Sequence, residues 1–374
     1  MGSIAVPPRH AMIRAMTYAP PRLPLSGSLE SIAVLRRLAA AHRALAELKG
    51  MARIMPNEAI LINTLSLQEA KDSSAIENII TTHDDLYRSD AVARDFASLA
   101  AKEVYNYAHA LREGFETVRR TGLITVNDVL AMQATLEENK AGFRRLPGTA
   151  LKNDQTGEVV YLPPQDPQDI IALMGNLERF MNDPDVSDLD PLVKMAVIHH
   201  QFETIHPFYD GNGRTGRIIN ILYLVKEDLL NTPVLYLSRY INQNKAEYYR
   251  LLQAVRTASV WEEWLLFMLD GVQQTAIQTT RLINAMRELM QAHKRQIRNE
   301  LPRIYSKDLL NTIFSHPYSK IAFVQRDLMV TRVTATRYLD ELTRIGVMLK
   351  VKAGKDNYYV NAGLVALLGN IRPL

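Results

Sequence analysis

Apolar residues along most of this chain recur three and four positions apart, the spacing of one face of an α-helix. From Ser28 to Gly50, the residues Leu35, Leu38, Ala39, His42 and Leu45 share such a face, and Gly50 predicts the stop. Residues 57–79 continue helically, with Ile60, Leu61, Thr64, Leu65 and Leu67 as the apolar set. Helical spacing also marks 90–120 and 125–140, the second opened by the capping pattern Thr125-x-x-Asp128. It resumes over 166–182 and again after Asp190-Pro191, where proline suits a first helical turn. There Leu192, Val193, Ala196, Val197 and His200 fall on one face. Residues 214–229, 244–257 and 260–298 follow, and the length of the last predicts a break within it.

Two stretches interrupt this pattern. Residues 142–164 carry Gly142, Gly148 and Gly157, then the β-prone run Val159-Val160-Tyr161-Leu162. With the Thr156-Gly157 turn ahead of that run, a β-hairpin is predicted. Around Leu301-Pro302 the spacing changes, which marks a linker. Beyond it, 306–316, 321–329 and 331–347 predict three short helices, and 348–361 predicts two strands around a Gly-Lys-Asp turn. Three helices followed by a hairpin is the order of a winged helix-turn-helix. The chain is therefore expected to be mainly α-helical. It divides into a proline-rich extended arm (1–28), a helical region (29–120), a core (121–300) and a C-terminal domain (303–374).

Composition narrows the function classes. At 374 residues, 47% apolar and 22% charged, the chain is long enough for two or three packed domains. It has no cysteine, so disulfides and thiolate metal sites are excluded. The net charge of +4 suits a phosphate ligand or nucleic acid without proving either. The N-terminal stretch has no apolar core of signal-peptide length, and Val6 stands where a myristoylation motif needs Ser or Thr. No run of about 18 apolar residues predicts a membrane span. A cytoplasmic protein without membrane attachment is the expectation.

The chemistry concentrates in "HPFYDGNGRTGR", residues 206–217. Its Gly211-Asn212-Gly213-Arg214-Thr215-Gly216 reads as G-x-G-x-x-G, yet the preceding segment has helical rather than strand character, so a dinucleotide fold does not fit. Gly211 and Gly213 allow a sharp turn that exposes consecutive N–H groups to an anion. The helix predicted from Arg214 onward adds its dipole at the same point. Arg214 and Arg217, three apart, can both reach phosphate oxygens. Asp210 is a hard oxygen ligand that could hold Mg²⁺ against a polyphosphate. His206, lifted to the loop mouth by Pro207, could serve as a general base. His199, His200, Glu203 and His206 match no zinc spacing, and the first two read as buried, hydrogen-bonded helix histidines.

His206, Phe208, Asp210, Gly211, Asn212, Gly213, Arg214 and Arg217 fill the eight fixed positions of H-x-F-x-[DE]-G-N-G-R-x-x-R. This is the signature of the Fic (filamentation induced by cAMP) family, which the chain resembles closely over residues 70–260. The resemblance implies a protein adenylyltransferase that moves AMP from ATP onto a Ser, Thr or Tyr hydroxyl of a target protein and releases pyrophosphate. It implies His206 as base, Mg²⁺ on Asp210, and ATP held by Asp210, Gly211, Asn212, Gly213, Arg214, Thr215, Gly216 and Arg217, with Arg217 at the γ-phosphate. "SSAIEN" resembles the family's inhibitory helix, near 68–80, through Ser73, Glu77 and Asn78, which implies that Glu77 pairs with Arg217. Val159, Val160, Tyr161 and Leu162 stand where the family has a flap that docks the target as an added strand. Tyr248 and Tyr249 resemble the pair lining the nucleoside pocket, either of which could pack on adenine or belong to the core.

The resemblance leaves self-modification and a homodimer open. The C-terminal domain carries Arg332, Arg337 and Arg344 on its third helix and Lys350, Lys352 and Lys355 in its hairpin, diluted by Asp340, Glu341 and Asp356. DNA and a protein are both open as its partner. The rival reading is a winged-helix transcription regulator that uses the Fic core as a nucleotide sensor.

Overall fold

The computed structural model describes residues 19–89, 96–152, 156–353 and 356–369. The first eighteen residues of the expected arm lie outside them. Pro21 and Leu23, its described part, are pinned to the body: Leu23 exchanges two 2.8 Å hydrogen bonds with the Asn176 side chain, and the Pro21 carbonyl accepts from Gln201.

Helix α1 (Ile32–Arg53) begins where the Ser31 hydroxyl accepts from the Val34 N–H. It runs past Gly50, contrary to the predicted stop. Gly50 costs the helix about 1 kcal/mol against alanine, but Leu48 and Ala52 on either side are buried, and their burial carries the helix onward. Next come α2 (Glu58–Ile76), α3 (His83–Arg88), α4 (Leu99–Thr121) and α5 (Val126–Glu137). The Thr125–Asp128 capping box that starts α5 is formed in both directions.

The hairpin follows as β1 (Leu151–Lys152) and β2 (Val159–Tyr161), antiparallel, with Leu151 opposite Tyr161. Leu162 lies just outside the strand. The core then continues through α6 (Pro167–Asn182), α7 (Pro191–Ile205), α8 (Asn212–Lys226), α9 (Leu237–Gln243) and α10 (Lys245–Ala258).

Tertiary packing goes beyond local spacing in two helices. Helix α7 shows a single apolar face by spacing, yet everything from Leu192 to Ile205 is buried, because other helices cover its polar side too. Helix α11 (Trp261–Glu300) is unbroken over 40 residues, about 60 Å at 1.5 Å per residue. It keeps burying side chains from Trp264 to Ile297, packing first on α1 and then on the C-terminal domain, so no stretch is left unsupported.

The C-terminal domain contains α12 (Lys307–Ser315), β3 (Tyr318–Ser319), α13 (Ile321–Leu328), α14 (Arg332–Arg344), β4 (Leu349–Ala353), β5 (Asp356–Val360) and α15 (Ala362–Gly369). The predicted hairpin is present as β4 and β5, while β3 and α15 were not foreseen. Gly354 and Lys355 of the predicted turn lie outside the described residues. The sheet order is β3-β5-β4, all antiparallel. Its edge residue Tyr318 stacks on Tyr87 at 5.7 Å and donates to Asp84, which ties the domain to α3.

Candidate active site

Helix α7 ends on Ile205, and His206 takes a left-handed conformation (φ 48°) with its N–H bonded to the Phe202 carbonyl. Pro207 cannot continue the helix, and the chain turns into the loop. Phe208 inserts fully into the core between Phe143 and Phe202. The Asn212 amide closes the loop, accepting from the Phe208 N–H at 2.8 Å and donating to the Phe208 carbonyl at 2.9 Å. Gly211 sits at φ 78°, which an L side chain rarely adopts. Helix α8 then starts with no side-chain cap, so its N-terminal N–H groups are not taken by a capping side chain.

The loop floors a cavity of about 570 Å³. His206, Asp210, Gly211, Asn212, Gly213 and Arg214 line one side, with Glu77 from the end of α2 and Glu137 from α5 opposite. Thr215, Gly216 and Arg217 stand behind it. Thr215 is fully buried, and a Cβ on Gly216 would lie 3.0 Å from Phe202 and 3.1 Å from Glu203.

Arg217 is 2% exposed and held through Nε and one Nη. Its Nε donates to Ser73 Oγ at 2.8 Å, and one Nη donates to both the Ser73 carbonyl (3.0 Å) and Glu77 Oε1 (2.8 Å). Burial alone would push the Glu77 carboxyl up; Arg217, Arg214 and Lys245 outweigh it and hold it below its ordinary value. Burial likewise disfavours charge on Arg217, yet Glu77 raises its pKa overall. A Cβ on Gly213 would come 2.3 Å from Glu77 Oε1, so this carboxylate lies against the loop backbone itself. Asn78 accepts from Lys245 at 3.2 Å.

Arg214 takes a different direction from Arg217. Its two Nη groups donate to Glu103 on α4 (3.1 Å) and Glu137 (2.8 Å). No spacing rule pointed to these partners, which stand 111 and 77 positions away.

His206 is partly covered rather than free at the mouth. Burial lowers its pKa to about 4, with Arg144 and Arg256 adding to the effect. Arg144 donates through Nε to the His206 carbonyl at 2.7 Å and so fixes the turn from behind. Tyr161 of the hairpin is buried; its hydroxyl donates to the Thr204 carbonyl and Arg256 lies 4.2 Å over its ring. Val159 and Val160 remain exposed on the same strand.

The tyrosine pair separates. Tyr248 is core, its hydroxyl 2.8 Å from His199 Nε2, whereas Tyr249 is half exposed. His199 and His200 are both buried; His199 also meets the Asn220 amide at 3.0 Å, and burial lowers its pKa to about 3.

Among the described residues no group of three or more side chains could hold a metal alone. Asp210 is exposed at the cavity and its Oδ1 accepts from the Gly211 N–H at 2.7 Å. One carboxylate beside an anion-binding turn fits a hard divalent ion that arrives with phosphate and water ligands.

Three sequence models describe consecutive parts of this molecule. The Fic/DOC family model matches residues 123–224, which hold the loop and most of α8; Fic/DOC family N-terminal matches 35–116; and Protein adenylyltransferase SoFic-like, C-terminal domain, matches 289–364. The chain belongs to the Fic family. Relatives include "Protein adenylyltransferase Fic" of Drosophila erecta, 27% identical over 152 residues, which cover 41% of this Fic chain and 28% of that one. The protein of the same name from Drosophila melanogaster is 27% identical over 152 residues, 29% of its length. The matched stretch thus spans under a third of these relatives. A Fic family protein from Desulfovibrio desulfuricans shares the fold with a TM-score of 0.53 at 20% identity, covering 88% of this chain and 96% of that one. Fic-1 from C. elegans superimposes with a TM-score of 0.51 at 18% identity, over 67% of this chain and 72% of that one. No helix among the described residues is long and apolar enough to cross a membrane.

Proposed function

We propose that this Fic protein is an adenylyltransferase that moves AMP from ATP to a Ser, Thr or Tyr hydroxyl of a target protein. The observation that carries the reading is the convergence of His206, Asp210 and the Gly211–Gly213 turn on one cavity at the start of α8. His206 Nε2 accepts the hydroxyl proton as the target oxygen bonds to the α-phosphorus, and the bond from that phosphorus to pyrophosphate breaks. At a pKa of about 4 the imidazole is neutral at pH 7, and bound phosphates would raise it and make it a stronger base. Gly213 and the first turn of α8 supply N–H groups to the phosphates. Asp210 would hold Mg²⁺, which offsets phosphate charge when bound. Val159 and Val160, exposed on β2, offer the edge to which a target segment adds.

Incubation with ATP labelled at the α- or the γ-phosphate tests this reading. Label should remain on protein from the α-position alone; retention of γ-label would mean a kinase-type transfer and end the proposal.

Glu77 is the intramolecular inhibitor in this scheme, since it occupies the guanidinium that would take the γ-phosphate. Residues 303–374 are the winged helix-turn-helix domain, and DNA binding is its second reading. The exposed α14 face with Arg332 and Arg337 favours that reading, since neither forms an ion pair among the described residues. Against it, Arg344 is tied to Glu341 and Lys350 to Asp340, both at 2.8 Å. If the face binds DNA, affinity falls steeply between roughly 50 and 200 mM salt, and Arg337→Ala weakens it and lowers the salt slope by about 1. Mobility shifts on genomic fragments that are absent or indifferent to salt would leave protein docking as its role.

A further inference from the structure

The cavity holds more acid than a polyphosphate site needs. Glu137, on the last turn of α5, is only 12% exposed and directs Oε1 to Arg214. The same oxygen lies 2.4 Å from where a Cβ on Gly211 would stand, so the carboxylate rests on the turn that would receive phosphate. Arg214 cancels it only in part, because Glu103 claims the other Nη, which leaves two carboxylates for one guanidinium. Asp210 adds a third across the cavity; burial raises the Glu137 carboxyl first, Arg214 offsets part of that, and Asp210 and Glu103 add to the rise. Helix α5 also holds the loop one turn earlier, where the Gln133 amide donates to the Asp210 carbonyl at 3.4 Å.

We infer that Glu137 is a specificity-determining residue that makes the cavity accept a cation-complexed polyphosphate and reject the bare polyanion. The inference rests on the nucleotide reading above. A free polyphosphate that settles on the Gly213 amide and the first turn of α8 meets the partly cancelled carboxylate at close range. Like charges at such a distance weaken binding by roughly tenfold to several hundredfold, depending on how much water screens them. A divalent cation carried on the phosphates reverses the sign of that interaction. Glutamine at 137 keeps the side chain's shape and one hydrogen bond to Arg214 while removing the charge.

Calorimetric titration with ADP tests this, since ADP lacks the γ-phosphate and does not compete with the Glu77–Arg217 contact. Wild type, Glu137→Gln and Glu103→Gln are each titrated in Mg²⁺ and in EDTA. In wild type, affinity should drop at least about tenfold in EDTA. Glu137→Gln should recover most of that loss through tighter binding of metal-free ADP, and Glu103→Gln should shift the ratio in the same direction by freeing Arg214 to cancel Glu137. An unchanged Mg²⁺-to-EDTA ratio in both variants, with ADP still bound in Mg²⁺, would overturn the role of Glu137 alone. If thermal melting shows that Glu137→Gln is unfolded, the Glu103→Gln ratio decides. No ADP binding to wild type in Mg²⁺ would overturn the nucleotide reading and this inference with it.

Discussion

Glu77→Gly is expected to raise the initial rate of AMP incorporation by about a hundredfold over wild type. The reason lies in where the Glu77–Arg217 pair sits. An exposed ion pair is worth under about 1 kcal/mol, but Arg217 is 2% exposed, whereas Glu77 keeps 35% of its side-chain surface. One buried partner places the contact between the exposed and the fully buried case. A shift of about 2–3 kcal/mol in favour of the productive ATP pose follows, which is on the order of a hundredfold in rate. Removing the carboxylate also clears the space above Gly213, where Glu77 Oε1 now lies. The Ser73 contacts remain, so Arg217 stays oriented while its guanidinium loses the carboxylate that neutralises it. Glu77→Gly with Arg217→Ala should lose the gain, because the freed guanidinium is then missing. Rates of all the proteins are compared at equal folded concentration, and equal incorporation by wild type and Glu77→Gly would mean that the pair is structural only.

The second large effect is expected at His206. His206→Ala should lower transfer by about a hundredfold to ten-thousandfold, the range of a general base, and it should silence Glu77→Gly as well. ATP binding should persist, because the turn and arginines are held by other contacts: Asn212 on Phe208, Arg214 on Glu103 and Glu137, and Arg144 on the backbone carbonyl of residue 206. Calorimetry with ATP and α-label incorporation separate the two properties, and labelling undiminished in this variant would exclude His206 as the base. The pKa gives a further sign. Folding favours the neutral ring, whose pKa falls from 6.5 to about 4, so the unfolded chain binds this proton first as pH drops. The His206 contribution to stability is therefore intact above about 6.5 and is lost as pH falls toward 4. His206→Ala should show a weaker loss of melting temperature across that window.

Much of the architecture was legible because it is encoded locally. Thr125 and Asp128 form the cap that their spacing announces, and Asp190-Pro191 starts α7 as proline at a first turn should. The C-terminal hairpin falls on the two runs on either side of the sequence Gly-Lys-Asp. Errors arose where neighbours override local preference. Gly50 fails to stop α1 because the helix is packed on both sides of it, and α11 stays continuous because partners follow one another along its length.

The site divides in the same way. Its loop was determined by the sequence itself: Pro207 ends the helix, Gly211 permits φ 78°, and the order histidine, aspartate, glycines, arginines fixes which groups can meet one anion. The resemblance already implied Glu77 for Arg217, but the tertiary structure alone decided what Arg214 holds. Identical side chains three positions apart diverge, Arg217 to Ser73 and Glu77 on α2, Arg214 to Glu103 and Glu137 on α4 and α5. It also sent Tyr248 into the core and left Tyr249 half exposed, although the two are adjacent. Helical spacing specifies which side of a helix a residue occupies, but the chemistry facing that side comes from segments 77 to 144 positions away. Only packing brings those segments together, and the low exposure it creates turns a loose attraction between charges into contacts strong enough to govern the site.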